Sequence, residues 1–163
     1  MKWSARPIEQ AYLLAPPFCA LLTHAMTKDY CKQTRSATMP VALPFIGLTA
    51  VLHGPTRAML PRDVRTSLAA WLEEHIEARV QVVNCIDSLA PFVREAILFG
   101  CIHRALVWEG AALSVTTDFV PPLDNLVASG DVRDCVRRAA LVGRWFATAG
   151  SAEVVCALWG VRP

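Results

Sequence analysis

The chain has 163 residues and a net charge of +2 at pH 7, from 16 Lys and Arg against 14 Asp and Glu. Apolar residues make up 54% before glycine is counted, where about 45–50% with glycine is usual, and charged residues only 18% against about 25%. The length suits one domain, 1–163, with a substantial core. The charge is too mild to imply a nucleic-acid partner by itself, and the apolar excess calls for a membrane or a partner to cover it.

The membrane reading fails on length. The longest weakly polar run, Met39 to Leu52, is too short for a span of about 20 residues and holds Pro40 and Pro44. The first residues, Met1 to Pro7, lead to Glu9 and Gln10 and not to the apolar run of a secretion signal. The sequence therefore predicts a cytoplasmic protein that spends its life in a complex.

In chain order, Pro16 or Pro17 opens a helix towards Lys32, with Phe18, Leu21, Leu22 and Ala25 on one face. Residues 36–40 read as a turn. Pro40 then opens a second helix to about His53, apolar nearly all round and so central. Gly54-Pro55 stops it, and a loop with Pro61 follows. Thr66 or Ser67 caps a helix carrying Leu68, Trp71 and Leu72. A further helix covers roughly 77–89 with Val80, Val83 and Ile86 inward. Pro91 opens the next, to about Arg104, with Val93, Ile97, Gly100 and Cys101 at helical spacing.

At Ala105 the pattern changes. Residues 105–117 read as two short strands around Glu109-Gly110, rich in β-branched side chains with a glycine for the turn. Residues 117–130 hold Pro121 and Pro122 and read as a loop with at most one helical turn. Asp131 caps a long helix to about Thr148, Gly150 ends it, and Ser151 caps a last helix to Trp159. The predicted fold is mainly α, a helical domain with a small β-hairpin, winged-helix-like.

Few side chains suggest chemistry. Six cysteines and four histidines are scattered without a Cys-x-x-Cys pair or metal-ligand spacing, so buried free thiols fit better than zinc, and no cofactor is expected. No nucleophile motif or glycine-rich phosphate loop supports a catalytic pairing of His53 with Cys101 or Asp87, and His53 reads as a capping or interface residue. Arg133, Arg137, Arg138 and Arg144 give the long helix a basic side that is either a weak nucleic-acid contact or a solvated face with an Asp134–Arg138 pair. The last helix has no base-reading side chains. Arg94-Glu95 places opposite charges on a largely apolar helix, as an internal ion pair or one made to a partner. The apolar, aromatic chain end frays unless it docks on its own core or on a partner. The candidate partner interface comprises His53, Arg57, Arg94, Glu95, Arg144, Trp145, Phe146, Trp159 and Arg162.

Several segments, taken in order, resemble one family. They are Pro17-Phe-Cys-Ala-Leu-Leu22, Met39-Pro-Val-Ala-Leu43, Val51-Leu-His-Gly-Pro-Thr-Arg57, Leu60-Pro61 and Ser67-Leu-Ala-Ala-Trp-Leu72. Pro91 to Gly100, Gly143-Arg-Trp-Phe-Ala147 and Leu158 to Pro163 complete the set. Together they resemble the middle component of bacterial ABC three-component systems, with departures at His53-Gly54 and Ala111-Ala112, where that pattern is more polar. The resemblance implies a partner set of an SMC/Rad50-like ABC ATPase and an effector subunit, in defence against phage or other invading DNA, with Lamassu-type defence as a relative. It implies an adaptor without catalysis that meets DNA only through the complex and takes no small-molecule substrate. Two other classes remain open from the residues. A stand-alone winged-helix DNA binder predicts steeply salt-dependent DNA binding, and an enzyme predicts a convergent polar pocket with perturbed titratable groups.

Overall fold

The computed structural model describes residues 14–119 and 130–162. Seven helices and one small sheet occur among them: α1 (Pro16–Thr34), β1 (Met39–Pro40), α2 (Leu43–Leu52), α3 (Gly54–Met59), α4 (Leu68–Glu74), α5 (Ile76–Ile102), β2 (Leu106–Glu109), β3 (Ala112–Val115), α6 (Gly130–Ala149) and α7 (Ala152–Trp159). The fold is mainly α, as expected.

The α1–α6 pair makes the most extensive contact between elements. Leu22 and Met26 of α1 meet Ala139, Val142 and Phe146 of α6 in one core with Ile46, Leu48 and Val51 of α2. Buried Thr23 and Thr27 fit this apolar seam because each hydroxyl donates to the carbonyl one turn back, Cys19 and Thr23, at 2.8 Å. Gly143 faces Met26 across the crossing, where a methyl group would overlap the Met26 carbonyl oxygen and lie 3.0 Å from its carbon. Only glycine lets the two backbones approach this closely.

The helix starts follow ordinary capping chemistry. Ser67 Oγ accepts from Ala70 N–H at 3.2 Å and Ser151 Oγ from Val154 N–H at 3.4 Å. The hairpin follows α5 directly, with Gly110 at φ 60° in its turn. Its register pairs Leu106 with Val115 and Glu109 with Ala112.

Four expectations need correction. Pro40 does not open a helix: it lies in β1, which pairs antiparallel with β3 (Met39 with Leu113, Pro40 with Ala112) and completes a sheet of order β1-β3-β2. An edge strand tolerates proline's missing donor, and Pro44 takes the helix-opening role in α2. Gly54-Pro55 ends α2 but also begins α3, with His53 as its N-cap. Residues 77–89 and 91–104 are not two helices but one, α5, which runs through Pro91. Pro91 and Asp87 are both exposed, so the carbonyl left without its donor faces water. Finally, Val80 points outward, because the buried stripe of α5 runs through Ala78, Val82, Val93, Ala96, Ile97 and Gly100.

Candidate partner interface

The structure sorts the proposed interface residues into interior, clamp and surface positions. Trp145, Phe146 and Trp159 are interior, fully enclosed by their own chain. Trp145 and Trp71 meet edge to face at 5.3 Å. Their indoles donate outward to backbone at either end of the link between α3 and α4, Trp145 to the Thr66 carbonyl at 2.8 Å and Trp71 to that of Met59, the last residue of α3, at 3.0 Å. Trp159 Nε1 is buried without a hydrogen-bond partner among the described residues. These rings therefore hold the core together and offer a partner no surface, which corrects their assignment to an interface.

Three arginines are clamps. Arg57 donates to the Val51 carbonyl at 3.0 Å and pairs with Asp131 at 2.5 Å and Asp134 at 3.4 Å, tying α3 to α6. Arg138, assigned from sequence to nucleic-acid contact, turns inward and donates to the carbonyls of Leu60 (3.1 Å) and Pro61 (2.8 Å). With the two indoles it satisfies carbonyls from the end of α3 through the irregular segment that leads to α4. Arg144 pairs with Asp29 and joins α6 to α1. His53 caps α3, its Nδ1 accepting from Thr56 N–H at 3.3 Å and lying 2.7 Å from the Thr56 hydroxyl.

The basic side of α6 is largely neutralised. Arg137 pairs with Asp134 at 2.7 Å, and Arg138 lies 3.6 Å from the same carboxylate. Burial acts to raise the Asp134 carboxyl, but the Arg137 hydrogen bond and the charges of Arg138, Arg137 and Arg57 hold it below its ordinary value. Arg133 is exposed and forms no ion pair among the described residues.

Arg94, Glu95 and Arg162 remain. Glu95 is half-buried on α5. Arg94 and Arg162 are exposed and line one groove of about 500 Å³ between α2, α5 and the turn after α7. Phe45, Val83, Ile86 and Val161 give it apolar walls, and Asp87 is its one acidic residue. The Arg94 guanidinium sits 5.8 Å from the centre of the Phe45 ring.

A second groove, of about 660 Å³, lies between the end of α5 and the hairpin. Leu98 and Trp108 line it, and Ile102 is one turn beyond Leu98; they are 51%, 43% and 77% exposed. His103, Arg104 and Asp118 supply its polar rim. Sequence reasoning missed this patch. The available signal was two apolar residues at i,i+4 spacing that fall outside the Val93–Ile97–Gly100 stripe. It also missed Arg79, which donates to the Trp159 carbonyl at 3.3 Å and secures the end of α7.

All six cysteines are free thiols. Burial, and then the neighbouring Cys135, push Cys19 up to about 12, which makes it a poor nucleophile. Among the described residues no cluster of three His, Cys, Asp or Glu side chains is placed to hold a metal, and no helix is long and apolar enough to cross a membrane.

The fold and its surface thus define a small, mainly helical protein whose surface carries two grooves with apolar walls and polar rims. The chain belongs to the family of ABC-three component (ABC-3C) system Middle Component 3, whose family model matches residues 3–163. No curated protein and no solved structure gives a significant match.

Proposed function

We propose that this chain is a non-catalytic adaptor that joins an SMC/Rad50-like ABC ATPase to an effector subunit in cytoplasmic defence against phage or plasmid DNA, akin to Lamassu-type systems. The middle-component family supplies the setting. The carrying observation is the patch of Leu98, Ile102 and Trp108, large apolar side chains left in water at the junction of α5 and the hairpin. Such side chains, clustered and rimmed by polar groups, mark protein contact surfaces.

A stand-alone winged-helix DNA binder is the second reading. It draws on the strand between α1 and α2 that pairs with the hairpin to give the order β1-β3-β2. The helix leading into that hairpin would be the natural DNA reader, yet its outer face ends in Leu98 and Ile102, and the hairpin adds Trp108 and Glu109. Phosphate neutralisation needs several cations there, and Arg104 is the one Arg or Lys that lines this groove. The same architecture serves protein contact better.

Co-expression with the other components of its system tests the adaptor reading. The chain should co-purify with both, and replacing Leu98 and Ile102 by Ser together with Trp108→Thr should release at least one while circular dichroism is unchanged. Retention of both components by that variant would count against this patch as the contact surface. A chain that binds neither component would overturn the adaptor role.

A further inference from the structure

We propose that the groove between α2, α5 and the C-terminal turn receives a short acidic and apolar segment of another component, with Arg94 and Arg162 binding its carboxylates. The inference rests on the adaptor reading above and names the chemistry of one partner contact.

The C-terminal sequence builds this groove. Gly160, at φ 79°, closes α7 with its own N–H on the Ala157 carbonyl at 3.0 Å and the Val161 N–H on the Cys156 carbonyl at 2.9 Å. This is the two-bond closure that glycine permits at a helix end. It turns the chain so that Val161 packs on the core and Arg162 borders the groove. On the opposite wall the Arg94 guanidinium lies 5.8 Å from the centre of the Phe45 ring, a cation–π contact that leaves its hydrogen-bond donors free.

Among the half-buried arginines, Arg79 is held by the Trp159 carbonyl, and Arg57, Arg138 and Arg144 have ion-pair partners within the chain. Arg94 and Arg162 have none among the described residues, although they border an apolar surface. Two cations against the single anion of Asp87 leave the rim positive. Aliphatic walls exclude a nucleic-acid backbone as the natural occupant, since sugar and phosphate would cover them poorly and only one aromatic ring is present for base stacking. A segment with two or three aliphatic side chains flanked by Asp or Glu satisfies both the walls and the rim. The volume is within the roughly 300–1,000 Å³ that holds a compact ligand or a few side chains.

The test uses the full chain co-expressed with the other components of its system. A photo-crosslinking amino acid at position 86 should capture a segment of another component, and peptide mass spectrometry should show that segment to be apolar and acidic. Arg94→Glu with Arg162→Glu should weaken assembly by about tenfold or more, as expected for charge reversal of paired interface residues. Both side chains are exposed, so the variant should keep its circular dichroism. Arg94→Gln with Arg162→Gln should flatten the salt dependence of assembly above about 0.1 M. Capture of a basic segment, of nucleic acid or of a second copy of this chain would overturn the inference. So would unchanged assembly after double charge reversal, or an intact complex with no crosslink at this groove. Those outcomes leave the adaptor reading standing, whereas absence of any complex removes both.

Discussion

The close approach of α1 and α6 at Gly143 makes Gly143→Ala the sharpest test of the packing. A methyl group at this position overlaps the Met26 carbonyl oxygen and comes within 3.0 Å of its carbon and 3.1 Å of its Cα, so the obstacle is backbone, which cannot rotate away. The helices must part by something on the order of 1 Å, and a gap of that size forfeits a quarter to a half of each dispersion contact it opens. If the seam holds about as many contacts as one buried leucine, roughly 40–60 at about 0.1–0.2 kcal/mol each, the loss is about 1–6 kcal/mol. The better helix propensity of alanine returns about 1 kcal/mol. The difference is a net destabilisation of up to about 5 kcal/mol, and because the obstacle is backbone we expect about 2–4 kcal/mol, at or above the usual cost of overpacking a core.

Gly47→Ala is the internal control. Its methyl meets the end of the Met26 side chain, Cε at 2.5 Å and Sδ at 2.7 Å, and a flexible thioether can move. Alanine's propensity gain should offset most of that strain and leave a cost of about 1 kcal/mol or less. Equilibrium urea unfolding followed by tryptophan fluorescence measures both. A Gly143→Ala variant as stable as the parent, or a larger cost at Gly47 than at Gly143, would refute the argument.

Three further outcomes follow from the core. Trp145→Ala should cost about 3–5 kcal/mol in the same unfolding assay, since it removes a fully buried ring and leaves the Thr66 carbonyl without its donor. His24 is buried, its pKa lowered to about 4 by burial and then by Lys28, so its protonation favours the unfolded chain. The stability it contributes is complete above its unfolded pKa of about 6.5 and is lost as pH falls towards 4, by up to about 1.4 kcal/mol per unit; His24→Leu should flatten thermal stability across that window. Arg138→Ala should destabilise by about 1–3 kcal/mol by stripping the carbonyls of Leu60 and Pro61, whereas exposed Arg133→Ala should change stability by less than about 0.5 kcal/mol; equal effects in thermal melts would contradict the clamp.

What could be seen in the sequence was local. Ser67 and Ser151 sit just ahead of apolar periodic runs and cap as read, and Glu109-Gly110 marks its turn. The pair Asp134–Arg138 is visible as an i,i+4 spacing and is found at 3.6 Å. Proline misled because one residue type has several uses. Pro40 looks like a helix opener until its strand partner, more than seventy residues away, is known. Pro91 looks like a boundary until its exposed side of a long helix is known. Long-range polar partners were equally hidden: nothing near Arg57 announces Asp131, and nothing near Arg138 announces the Leu60 carbonyl. Of the candidate interface, Arg94 stands out in the sequence as a charge on an apolar helix and Arg162 as a charge on an apolar chain end. Their shared groove depends on the turn at Gly160 and on how α2 meets α5.

The central claim is that this middle component bridges two others. Native mass spectrometry of the three-component system, assembled with and without this chain, tests it most directly. The account predicts one assembly containing all three proteins and no association between the ATPase and the effector when this chain is left out. An ATPase–effector complex that forms equally well without it would contradict the account.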